Sequence, residues 1–141
     1  MRISKDEYYL NIAKAVAVRS TCLKHKYGAV IVKNDEIIAT GYNGAPRGEP
    51  NCLDMRECYC DIADKPVDET AATHRAKYGL CVAVHAEQNA IISAARRDMT
   101  GAALYLNIYD SNKEPIPCNI CNRMIKNAGI IRVVTPKEDL Y

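Results

Sequence analysis

Tyr9, Ile12, Ala13 and Val16 recur at helical spacing behind Ser4 and Glu7, which have the S-x-x-E spacing of a capping box. The pattern predicts an amphipathic helix over residues 4–19. Residues 28–32 and 37–41 are small and β-branched, and the polar pair Asn34-Asp35 between them predicts an antiparallel hairpin. Helical periodicity returns over 85–97, where Ala86, Ala90, Ile91 and Ala94 mark one face. Residues 104–109 then read as a strand, 118–128 as a helix ended by Gly129, and 130–135 as a strand stopped by Pro136. Strand, helix, strand in so short a span is a βαβ unit, which implies a parallel pair.

Residues 43–82 break these periodicities. They hold Gly44, Pro46, Gly48, Pro50 and Pro66, many charges and four of the seven cysteines. A connection so long is either functional or held by something other than a core. The 141 residues suit one domain spanning 1–141. A hydrophobic fraction of 48% beside 26% charged residues argues against disorder, and net charge +2 with no run of five like charges argues against a polyelectrolyte tail. No apolar stretch approaches the roughly 20 residues of a membrane span. The charged N-terminus lacks the apolar core of a signal peptide, so the expected location is the cytoplasm. Disulfides are rare there, and seven cysteines then point first to metal.

Two motifs carry the chemistry. His85-Ala86-Glu87 opens one predicted helix, and Pro117-Cys118-Asn119-Ile120-Cys121 opens another. Cys118 and Cys121 lie three apart, one turn along a helix, and can chelate a single ion. Two thiolates and one imidazole leave a tetrahedral position open, the pattern of catalytic rather than structural zinc. Water there ionises near pH ~7 instead of ~15.7. Glu87, two residues from His85, is badly placed to ligate but can reach that water and pass its proton on. The first N–H groups of the helix, Ala86 foremost, can bind a substrate carbonyl oxygen. The alternative reading of the same residues is a small structural zinc site, or a histidine beside two buried thiols.

The motif pair resembles H-x-E…P-C-x-x-C, the signature of zinc-dependent nucleobase deaminases. The resemblance extends to Arg19-Ser20-Thr21-Cys22, Gly28-Ala29-Val30-Ile31-Val32, the run from Gly41 to Gly48 (GYNGAPRG) and the run from His85 to Ile91 (HAEQNAI), which are similar to the deoxycytidylate (dCMP) deaminase family over almost the whole chain. It implies a cytidine-deaminase-like α/β fold, three layers α/β/α around a mixed sheet of about five strands. It also implies zinc on His85, Cys118 and Cys121, proton transfer by Glu87, and contact of Asn43 with the sugar or base. The implied reaction converts dCMP to dUMP, supplying thymidylate synthesis. Activation by dCTP and inhibition by dTTP, between subunits of a homohexamer, belong to the same expectation, with Mg2+ accompanying a triphosphate effector. Phosphate or effector contacts are expected around Arg19, Lys24, Gly44 and Arg47.

A second, structural zinc, found in some members of that family, is expected on Cys22, Cys52, His74 and Cys81. A proline-rich loop cannot order itself by burial, whereas a closed thiolate site contributes folding free energy. Cys58 and Cys60 are too close in sequence for the usual spacing and are left out, and His25 reads as a surface residue. The segment 107–116 departs from shorter members, which step almost directly from strand to Pro-Cys; it lies beside the metal, where it bears on substrate preference. The chain has no Phe or Trp, so any ring against the base comes from nine tyrosines or three histidines. Competing readings are a deaminase of tRNA or single-stranded DNA, a deaminase of another small nucleotide, and a zinc module without activity. The polynucleotide reading calls for a basic groove and aromatic platforms, which this composition does not favour.

Overall fold

The computed structural model describes residues 1–56, 81–137 and 139. β1 (Lys26–Lys33) and β2 (Glu36–Tyr42) form the expected antiparallel hairpin, each somewhat longer than its apolar run. Asn34 and Asp35 at its tip both take positive φ, 52° and 61°. That left-handed pair matches the twist of the flanking strands, and Asn and Asp tolerate it better than other side chains.

β3 (Ala103–Tyr109) runs antiparallel along the other edge of β1, and β4 (Arg132–Val134) runs parallel to β3, giving the order β2-β1-β3-β4. Among the described residues the mixed sheet therefore has four strands, where about five were expected. After β4 the chain meets Pro136, which has no N–H for a ladder, and among the described residues only an isolated bridge from Val134 to Asp139 follows.

The described helices are α1 (Lys5–Ala17), α2 (Cys52–Met55), α3 (Ala86–Ile92), α4 (Arg96–Met99) and α5 (Asn119–Asn127). α1 starts where the capping signal places it, with Ser4 Oγ accepting from Glu7 N–H at 3.1 Å. α5 joins β3 to β4, so the βαβ pattern and its parallel pair are borne out. The single helix expected over 85–97 is instead two. Ser93 caps α3 and returns its hydroxyl to Asn89 O at 3.0 Å, so the chain turns before Arg96 restarts. Within the long connection, α2 is a single capped turn, and the rest of that segment beyond Arg56 lies outside the described residues up to Cys81.

Alternation along the strands sorts the core into two faces. Val30, Val32 and Tyr105 point to α1, where Tyr9 and Ala13 meet them. Ala29, Ile31, Leu104 and Leu106 point the other way, to Ala86 and Ala90 of α3 and Ile125 of α5. This is the α/β/α layering expected. α1 lies so close to β1 that a Cβ on Gly28 would stand 2.0 Å from Ala13 O, so only glycine fits at this crossing. No helix among the described residues is long and apolar enough to cross a membrane.

Candidate active site

α3 and α5 begin side by side, and each begins with a candidate ligand. His85 is the N-cap of α3 and Cys118 the N-cap of α5, both with extended backbone. Gln88 Oε1 accepts from His85 N–H at 2.9 Å, the N3 half of a capping box, and so fixes the chain entering α3. Cys118 Sγ accepts from Cys121 N–H at 3.4 Å, which caps the start of α5. An antiparallel bridge between Gly44 and Val84, with N···O distances of 3.2 and 2.7 Å, holds the approach to His85 against the end of β2.

The three side chains converge. His85 Nδ1 lies 3.3 Å from Cys121 Sγ and 3.6 Å from Cys118 Sγ, and all three ligand atoms fall within 4.8 Å of one another. Zinc with Zn–N of about 2.05 Å and Zn–S of about 2.3 Å sets nitrogen and sulfur about 3.6 Å apart at the tetrahedral angle. Among the described residues this is the single group of three such side chains so placed. Electrostatics agree with the distances. Burial raises the Cys121 thiol pKa, and the neighbouring charge of Glu87 raises it further. A thiol disfavoured as thiolate by burial and a neighbouring carboxylate is one that a divalent cation would ionise.

Glu87 is 5% exposed and sits in the first turn of α3. Burial pushes its carboxyl above the ordinary value, against the pull of its own backbone N–H, of His85 and of a hydrogen bond with Cys121. Such a carboxyl is poised to take up and release a proton. A cavity of about 240 Å³ opens over these groups, and His85, Ala86, Glu87 and Cys118 form its floor. Ala86, fully buried at the first position of α3, is among its lining residues.

The remaining expected residues divide. Asn43 is buried at the end of β2 and lines the cavity. Lys24 and Gly44 line it too, whereas Arg19 and Arg47 are exposed and are not among its lining residues. Cys22, Cys52 and Cys81 all face this same cavity, while their expected companion His74 lies outside the described residues, as do Cys58 and Cys60. His25 is not the surface residue expected. It is half-buried in the cavity wall, because the start of β1 turns it inward, and burial with Lys113 and Lys24 nearby lowers its pKa. Tyr27, two residues on, lines the cavity beside it with ring centroids 6.1 Å apart.

The segment 107–116 is pinned rather than loose. Pro115 is fully buried and the Glu114 carboxylate accepts from Thr135 Oγ1, which presents Ile116, 64% exposed, on the cavity rim. Sequence reasoning missed Ser20, buried behind Asn43, and Gln88, although a polar side chain three residues after an N-cap is a readable signal for the latter.

The sequence matches the family described as "Cytidine and deoxycytidylate deaminase zinc-binding region" over residues 3–137. It is 42% identical over 133 residues to the deoxycytidylate deaminase of Mycobacterium phage D29, covering 94% of each chain. It is 36% identical over 134 residues to that of Schizosaccharomyces pombe, covering 94% of this chain but only 37% of the yeast protein. A crystal structure of dCMP deaminase from the cyanophage S-TIM5, in complex with dCMP and dUMP, is similar with a TM-score of 0.63 and 29% identity, over 94% of this chain and 81% of that one.

Proposed function

This chain belongs to the cytidine and deoxycytidylate deaminase family, and from that premise we propose that it hydrolyses dCMP to dUMP and ammonia. The observation that carries the reading is the buried Glu87 carboxyl beside the convergent His85, Cys118 and Cys121 at the floor of one cavity. A metal-only module has no use for that carboxyl.

His85, Cys118 and Cys121 would hold zinc, which when bound supplies Lewis acidity that brings water toward ionisation at neutral pH. Glu87 does the proton work. It takes a proton from the attacking water, delivers it to the pyrimidine N3, and then carries the second proton to the departing amino group at C4. Water enters, the C4–N bond breaks, and the oxygen stays on the ring as the carbonyl. The Ala86 N–H binds the ring's other oxygen, and Asn43, also in the cavity lining, holds sugar or base.

The finer reading keeps three further elements. Cys22, Cys52 and Cys81 line the same cavity but are not grouped at metal-ligand distance, so a second zinc there, completed by His74, rests on metal analysis: two zinc ions per chain support that site, and one rejects it. Lys24 and Gly44 in the cavity lining suit a nucleotide phosphate, with Arg19 and Arg47 left for contacts between subunits of a homohexamer, where dCTP with Mg2+ activates and dTTP inhibits. None of the five described cysteines is in a disulfide, which fits a reducing cytoplasm and a role supplying dUMP for thymidylate synthesis.

The test is ammonia release by the purified protein on dCMP, CMP, 5-methyl-dCMP, dCTP, cytidine and tRNA, with and without dCTP as effector. dCMP is the expected best substrate. A clear preference for cytidine or tRNA would overturn the assignment.

A further inference from the structure

Asn43 meets the cavity with an amide whose polarity is already decided. Its Oδ1 accepts from Tyr27 N–H at 2.9 Å and from the Ser20 hydroxyl at 2.6 Å, filling both lone pairs. Its Nδ2 donates one hydrogen to His25 O at 2.9 Å. A backbone donor on one side and a backbone acceptor on the other forbid the flipped amide. Among the described residues one Nδ2 hydrogen is left over.

Ser20 completes this arrangement from behind. It is 2% exposed, its hydroxyl hydrogen is shared between Asn43 Oδ1 and Asn43 O at 2.8 Å, and its oxygen accepts from Cys22 N–H at 3.2 Å. It grips both the side chain and the main chain of Asn43, yet it is not itself among the residues lining the cavity. We propose that Ser20 is a positioning residue of the reaction: it fixes Asn43 as a donor-only group toward the cavity, which binds an acceptor oxygen of the substrate. The inference rests on the deaminase reading above. It concerns ground-state placement of the nucleotide, since the hydrogen bonds of Ser20 go to Asn43 and Cys22 and not to Glu87, His85, Cys118 or Cys121.

Losing one neutral hydrogen bond of this kind lowers affinity about fivefold. In steady-state deamination of dCMP, Ser20→Ala is expected to raise KM by about that factor with kcat within twofold, and Ser20→Thr, which keeps the hydroxyl, to stay near wild type. Asn43→Ala should raise KM at least as much. Because Ser20 acts through Asn43, adding Ser20→Ala to Asn43→Ala should change KM no further. Multiplying effects in the double variant, an unchanged KM in Ser20→Ala, or a fall confined to kcat would overturn the proposal. A readout independent of turnover is the NMR exchange of the Asn43 side-chain amide in ligand-free protein. It should quicken in Ser20→Ala, and unchanged exchange overturns the proposal as well. If wild-type protein turned over no dCMP, the deaminase reading would fall while the amide measurement still decided the role of Ser20.

Discussion

Gly41 and Ala86 touch backbone to backbone: a Cβ on Gly41 would stand 2.4 Å from the Ala86 carbonyl oxygen, and equally 2.4 Å from Ala90 N. Asn89 reinforces the contact by donating to Tyr42 O at 2.8 Å. The second strand thereby sets the height of α3, and α3 carries His85 at its cap and Glu87 in its first turn. Gly41→Ala must lift the helix off the sheet, since both neighbours are backbone. The expected cost is about 2–3 kcal/mol of stability, with zinc content falling as His85 moves away from the two cysteines. Thermal melting and metal analysis of the purified variant check both.

The site was more legible in the sequence than the surfaces that aim it. His85, Glu87, Cys118 and Cys121 were readable because metal chemistry restricts residue types and a helix turn restricts spacing. The hairpin and the βαβ unit were readable because period-two and period-3.6 patterns alternate cleanly. What could not be read depends on tertiary approach. Nothing around His25 marks it as inward-facing, since that follows from where β1 begins. Ser20 has no periodic partner, and its role appears only when residues 20 and 43 are adjacent in space. The split of α3 from α4 hinges on one hydroxyl at Ser93 competing for a carbonyl, which the alanine-rich periodicity hides.

Glu87→Gln keeps shape and hydrogen bonding but removes the group that carries protons. Zinc content should stay at the wild-type level, because Glu87 is not among the converging ligands. Turnover of dCMP should fall by about 10²–10⁴-fold, the range for a general acid–base group. Ammonia release alongside metal analysis checks this. Retained turnover would remove Glu87 from the proton path.

Zinc removal should loosen two helix starts together, because the ligands come from the caps of α3 and α5. An ion bound only by the folded chain, at a free concentration about 1,000 times its Kd, adds about 4 kcal/mol of stability. Treatment with a strong chelator should therefore lower the melting temperature by about 10 °C or more, and added zinc should restore it. Cys121→Ser should melt near the chelated protein and respond little to either reagent.

Far from the site, Asp6 at the start of α1 clamps β4. Its carboxylate accepts from Arg132 at 2.6 and 2.9 Å and from the Tyr105 hydroxyl at 2.7 Å. The hydrogen bond from Arg132 leads in holding Asp6 below its ordinary value of 3.8, against partial burial, with Tyr105 adding to the effect. A carboxyl with a depressed folded pKa contributes stability that is complete above the unfolded value and lost as pH falls through the folded one. The window is thus the acid side, below about pH 5. Both side chains are more than a third exposed, 35% for Arg132 and 39% for Asp6, so solvent screening holds the contribution to about 0.5–1 kcal/mol. Asp139 also pairs with Arg132 at 2.6 Å and keeps the guanidinium partnered after Asp6 is protonated. Asp6→Asn should melt a few degrees below wild type at pH 7, and the gap should close as pH drops toward 3. Melting curves of the two proteins across that range check it, and a gap that stays constant with pH would show that the clamp works by packing rather than charge.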